Sequence, residues 1–167
     1  PMIWKNRERV ELVVGGVVIR SYNPATGEQL WELNSGGGRR SSSHMGTDQL
    51  LVVGAEDRSS RGHGAGGLYV VRAGASGDIT PDSADSSSAG VIWSSRSAAP
   101  GMASPAILDG YVYILARNGG ICTCYDVLTG EVAFRSRLPG QEQHWASPWV
   151  ADGKVFCLDA SGATNVL

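Results

Sequence analysis

Cys122 and Cys124 stand one residue apart in the run ICTCY, and Cys157 follows in VFCL. Thiols at that spacing on a strand point to one face, where neighbours along a single strand are badly placed to bond to each other. The pattern lacks the paired C-x2-C or Cys/His spacing of a zinc site. Packing as small hydrophobes in a core is therefore the expectation for all three. His44, His63 and His144 are widely separated, and sequence order assembles no Ser-His-Asp set around them. Asp78, Asp82 and Asp85 could gather round calcium, but the EF-hand spacing and its closing Glu are absent, so a solvated loop is expected. Gly36-Gly37-Gly38-Arg39-Arg40 could form an anion-binding nest, yet neither the Lys-Ser/Thr of a P-loop nor a following helix accompanies it. No residue is assigned a catalytic, cofactor-binding or metal-binding role.

The elements that must position these side chains are short. Twenty-three glycines in 167 residues are about twice the usual share, and together with Ser-rich runs they point to many turns between brief elements. Fourteen basic and sixteen acidic residues give a net charge of −2 without blocks of one sign, so neither a nucleic-acid footprint nor an acidic tail is visible. No apolar run approaches the roughly 18 residues of a membrane-spanning helix.

Two half-motifs recur. RSYNPATGEQLW at Arg20 to Trp31 is written again as TCYDVLTGEVAF at Thr123 to Phe134. ASPAILDGYVYIL at Ala103 to Leu115 returns as ASPWVADGKVFCL at Ala146 to Leu158, with Ser, Gly and Leu all shifted by 43 residues. The best unit holds four runs of alternating apolar and β-prone residues separated by Asp-Gly, Asn-Gly-Gly and Thr-Gly turns, the pattern of a four-stranded antiparallel meander. A meander returning at this period is a propeller blade, stacking its apolar face on the next. The sequence thus predicts an all-β chain, a single partial β-propeller domain over 1–167, with blade-like units at about 8–35, 41–97, 103–138 and 146–167. That is about three and a half blades, so the rest of the ring is expected from further chain or another subunit. Trp31, Trp93 and Phe134 are expected to be buried at equivalent fourth-strand positions.

These motifs resemble the pyrroloquinoline-quinone-like (PQQ-like) propeller repeats, whose blades read S-P-x-x-x-x-D-G, a strand, then L-D-x-x-T-G-x-x-x-W. Ser104-Pro105, Asp109-Gly110, Tyr125-Asp126 and Thr129-Gly130 carry the pattern in the third unit. Ser147-Pro148 with Asp152-Gly153 carry it in the fourth, and Tyr22-Asn23, Thr26-Gly27 and Trp31 in the first. The second unit departs: Val71 to Asp78 replaces the usual turn, and Ile79 to Gly90 and Ala55 to Gly67 read as polar loops projecting into solvent. The resemblance implies a non-catalytic binding or scaffold propeller of bacterial type, similar to the lipoprotein subunit of the outer-membrane β-barrel assembly machine, with a periplasmic or secreted setting and no cofactor. The alternative it implies is a fragment of a quinoprotein dehydrogenase with PQQ and calcium. Those enzymes carry adjacent cysteines in a ring disulfide, whereas Thr123 intervenes here.

Strand alternation selects a face for binding. With strands named A to D in each blade, D–A and B–C connections emerge on one side, and A–B and C–D turns on the other. The first side carries Arg58, Arg61, His63, Met102, Arg117, His144 and Trp145, with Arg39 and Arg40. Arg, Trp, His and Met on loops of a rigid scaffold suit interface anchors. A protein or small-molecule ligand is expected there, and no nucleic acid.

Overall fold

The computed structural model describes residues 1–36, 42–55, 67–83 and 85–167. Its strands follow the period-2 alternation of the sequence, and no helix occurs among these residues. The first blade is β1 (Met2–Lys5), β2 (Val10–Val14), β3 (Val18–Tyr22) and β4 (Gln29–Asn34). The second comprises β5 (Met45–Gly46), β6 (Leu50–Ala55), β7 (Gly67–Arg72) and β9 (Val91–Ser95), while β8 (Gly77–Asp78) lies in its insertion. The third is β10 (Ala106–Leu108), β11 (Tyr111–Leu115), β12 (Ile121–Asp126) and β13 (Val132–Arg137). The fourth contributes β14 (Trp149–Ala151), β15 (Lys154–Leu158) and β16 (Thr164–Val166). Each blade is an antiparallel meander in chain order, and the first sheet reaches back to Met2, ahead of the start expected near residue 8.

The repeated turn is the same object twice. In the first blade Asn23 Oδ1 accepts the Ala25 and Thr26 amides, and Gly27 N–H donates to Asn23 O at 2.8 Å. In the third, Asp126 Oδ1 accepts the Leu128 and Thr129 amides, and Gly130 N–H donates to Asp126 O at 2.9 Å. Gly27 and Gly130 both sit at φ 76°, a left-handed conformation that glycine adopts without strain. A register shift falls at one place in three blades, between Ser21 and Tyr22, Val70 and Val71, and Cys124 and Tyr125. It aligns Trp31, Trp93 and Phe134 opposite Ser21, Val70 and Cys124.

Blades join through apolar faces and a stitch of serines. Trp4, Val13, Ile19, Trp31 and Leu33 of the first blade pack on Leu51, Val53 and Val71 of the second. Val52, Leu68, Val70 and Trp93 then meet Val112, Ile114 and Tyr125, and Leu115 and Cys122 meet Val155 and Cys157. Where the chain enters each A strand, the Ser43 amide donates to Ser104 Oγ at 2.8 Å and the Ser104 amide to Ser147 Oγ at 2.9 Å. The serine of the S-P motif is thus a blade-to-blade tie.

Two expectations need correction. The insertion does not simply project into solvent: Gly77 and Asp78 just before it add a parallel fifth strand beside Trp31 and Glu32, and its first residues continue that edge, with Ile79 N–H donating to Glu32 O, Ile79 buried in the first core and Thr80 Oγ1 accepting the Asn34 amide. A strand edge left unpaired attracts a partner, and this segment satisfies it from within the chain. Phe134, expected to be buried, is 37% exposed, against 0% for Trp31 and 8% for Trp93. Trp93 is covered by the next blade's Thr-Gly turn, where a Cβ on Gly130 would lie 2.8 Å from the indole and Val127 O accepts Trp93 Nε1–H. The loop at Ala55 to Gly67 falls almost entirely outside the described residues.

Candidate docking site

The connection from β13 to β14, residues 138–148, crosses the face of D–A and B–C connections and is tied down on both flanks. On the third-blade side, Gly120 N–H donates to Glu142 O, Leu138 N–H to Gly120 O, and His144 N–H to Arg117 O. Asn118 and Gln143 form an isolated antiparallel bridge. On the fourth-blade side, Ala160 N–H donates to Gln143 O at 2.9 Å, and Gln141 Nε2 spans two carbonyls, Cys157 O and Ala163 O, at 2.6 and 2.8 Å. Gly120 sits at φ 62° with its α-carbon against this loop, and a Cβ there would collide with Gln141 O. Only glycine permits so close an approach.

What the braced loop presents is Trp145. Its indole is 48% exposed, its Nε1–H donates to Gln143 Oε1 at 3.3 Å, and the Arg117 guanidinium lies 5.0 Å from the ring centroid. That is within the range of a cation–π contact, which holds both side chains in one arrangement. The same loop lines a cleft of about 700 Å³, with Arg137, Gln141, Glu142, Gln143, Asp159 and Ser161 among its walls. Asp159 shapes its wall by accepting the Ser161 hydroxyl at 2.6 Å and the Ser161 and Ala163 amides. The Ser161 hydrogen bond first, and the amides after it, hold the Asp159 carboxyl below the ordinary carboxylate range.

The residues expected on this face divide. Arg117 and Trp145 are brought together, and Met102 is half-buried. His144 is fully buried and unavailable to a partner: Nδ1 lies 3.0 Å from Ala116 O and Nε2 2.8 Å from Gln141 Oε1, so it ties the loop to the third blade. Arg58, Arg61 and His63, with Arg39 and Arg40, lie outside the described residues. Sequence reasoning passed over Gln141, Glu142, Asp159 and Ser161, because each lies outside the repeated motifs. Gly120, in the Asn-Gly-Gly turn, was the one legible signal of the close approach.

Two of the three aspartates considered for calcium cap backbone amides. Asp78 caps the Thr80 amide and Asp85 the Arg96 amide, and among the described residues no three His, Cys, Asp or Glu side chains converge as ligands. Cys122 and Cys124 are free and buried. Cys122 packs between the third and fourth blades, in one core with Leu115, Val155 and Cys157.

A stack of four-stranded meanders with loops converging on one face defines a β-propeller. The family model described as "Outer membrane protein assembly factor BamB" matches residues 15–164, and the chain belongs to this family of PQQ-like propellers. The crystal structure of BamB from Moraxella catarrhalis is similar in fold, with a TM-score of 0.61 and 14% identity over 99% of this chain and 47% of that one. The chain therefore spans about half the length of that protein. The computationally designed Ika4 protein is similar to the same degree, with a TM-score of 0.61 and 18% identity over 94% of this chain and 84% of that one. No curated protein matches.

Proposed function

We propose that this chain is part of a non-catalytic scaffold propeller that docks a protein partner on the face of D–A and B–C connections. The observation that carries the reading is the Arg117–Trp145 pair, an exposed indole under a guanidinium on a loop tied to both neighbouring blades. Tryptophan and arginine are enriched among hot spots at protein interfaces, and side chains already held in place lose little freedom on docking. The adjoining cleft is walled by amide, carboxylate, hydroxyl and guanidinium groups, a lining better suited to a polypeptide than to an apolar small molecule. Membership of a family described by outer-membrane protein assembly supports a partner from that apparatus and a periplasmic setting.

The test is direct binding. A partner crosslinked to the intact protein is purified, and its affinity is measured for Trp145→Ala, Arg117→Ala and, on the opposite face, Leu128→Ala. Loss of a hot-spot tryptophan weakens binding by about thirtyfold, corresponding to roughly 2 kcal/mol. Arg117→Ala is expected to weaken it less, and Leu128→Ala to leave it unchanged. Unaltered affinity in the Trp145 variant with loss in the Leu128 variant places the contact on the other side of the disc.

A further inference from the structure

We propose that the outer edge of β13 is a strand-addition site, which takes an extended polypeptide segment parallel to it with an acidic side chain opposite Arg135. β4, β9 and β13 are the fourth strands of their blades, and Trp31, Trp93 and Phe134 set them in one register. Three residues beyond each aromatic stand Asn34, Arg96 and Arg137. The Asn34 amide donates out of its sheet to Thr80 Oγ1 at 2.9 Å, and the Arg96 amide to Asp85 Oδ1 at 2.8 Å. On the same side of β4, Glu32 O accepts Ile79 N–H at 2.9 Å. One insertion in the second blade thus covers the edges of the first two blades. In the third, Leu138 N–H turns inward to Gly120 O, so the Arg135 and Arg137 amides turn outward. Among the described residues, neither amide has an acceptor.

The chain's own β8 shows the register such a segment adopts. It runs parallel to β4 with Gly77 beside Trp31 and Asp78 beside Glu32. Carried to β13, the same register sets a small residue beside the partly open Phe134 ring and an acidic residue beside Arg135. On β4 that acidic side chain stands next to a like charge, and on β13 it meets a guanidinium. Arg135 and Arg137 are exposed, and among the described residues neither forms an ion pair. Two arginines on one edge disfavour a second copy of β13, because pairing edge to edge brings like charges together. An acidic segment of another polypeptide has the complementary charge. Main-chain hydrogen bonds supply its affinity, and the side chains opposite Phe134 and Arg135 supply its register. The site uses backbone groups of β13 rather than the Trp145 loop, so it does not rest on the docking reading.

The probe is a synthetic peptide, capped at both ends, with the sequence Ala75 to Pro81, ASGDITP. It is titrated at millimolar concentration into the isotope-labelled full chain while backbone amide shifts are followed by NMR. The Arg135 and Arg137 amides are expected to move together and to saturate. Asp78→Lys in the peptide is expected to weaken binding by about tenfold, and Arg135→Gln in the chain by about threefold. Arg135→Pro removes the outward N–H without breaking a bond to β12, so it is expected to keep the sheet and abolish binding. Should that variant fail to fold, the lysine peptide and Arg135→Gln decide the matter by themselves. Shifts confined to Asn34 and Arg96 mean that the peptide displaces the insertion instead, and they overturn the proposal. So do unmoved Arg135 and Arg137 amides, equal binding by the two peptides, undiminished binding to a folded Arg135→Pro chain, or a peptide-independent dimer through β13.

Discussion

The outer corners of the first and third blades are built from equivalent residues and end in opposite states. In the first, Glu11, Ser21 and Trp31 are sealed: Glu11 accepts from Ser21 Oγ at 2.6 Å, Trp31 Nε1 at 2.7 Å and Asn6 Nδ2 at 2.9 Å, and pairs with Arg9. In the third, Tyr111, Cys124 and Phe134 take those places, and the Phe134 ring stands partly open with one edge-on contact to Tyr113 at 6.2 Å. The first corner is covered by Ala73, Ala75 and Ile79 of the second blade's insertion, and Arg9 reaches across to Ala75 O. A propeller blade thus does not bury its own signature aromatic. The next blade does, and what that blade carries at its C–D end decides how much of the ring is dry.

The comparison is broken hardest at Trp31. Trp31→Ala empties a closed site and leaves Glu11 short of a donor, for an expected loss of about 3–5 kcal/mol in urea denaturation. Ile79→Ala removes the apolar anchor of the strap and is expected to cost about 2–4 kcal/mol, while showing that the insertion belongs to the first blade's core. Phe134→Ala, at the equivalent register but with solvent on one side, is expected to cost only about 1 kcal/mol, well below a fully buried phenylalanine. Equal losses at Trp31 and Phe134 would falsify the claim that the following blade sets the burial.

The smallest effect separates the two copies of the turn. Asp126 accepts the Thr129 and Leu128 amides, which holds its carboxyl below the ordinary value of 3.8, whereas Asn23 performs the same task without charge. A depressed carboxylate contributes stability that is present above the ordinary value and is lost as pH falls through the lowered one. Asp126→Asn is therefore expected to keep the turn, to lower stability slightly at neutral pH where the charged acceptor is lost, and to flatten the profile below about pH 4. Asp78 and Asp159, also depressed, would supply the acid sensitivity that remains.

Blades, strand order and turn chemistry were legible because they are local. An Asp-Gly pair with φ 49° and 81° at Asp109-Gly110, or 49° and 67° at Asp152-Gly153, defines a tight hairpin whatever surrounds it. Likewise, the alternation of YVYIL and ICTCY fixes which side chains share a face. The side of the disc that holds Trp145 followed from strand direction alone. What required the tertiary structure was every question of which surfaces meet. His144 looks like a loop histidine in sequence and is an internal brace, because the β13–β14 connection folds back onto Ala116 and Gln141. The insertion after Asp78 looks too polar to pack, yet its first residues complete an open sheet edge whose unpaired amides and carbonyls only the folded first blade presents. Cys122 shares its core with Val155 and Cys157 of the following blade, a neighbourhood set by the stacking of blades and not by its own strand. Sequence determines pairing within a blade, where the partners are joined by short turns. Burial between blades depends on long-range stacking, and only the assembled blades decide it.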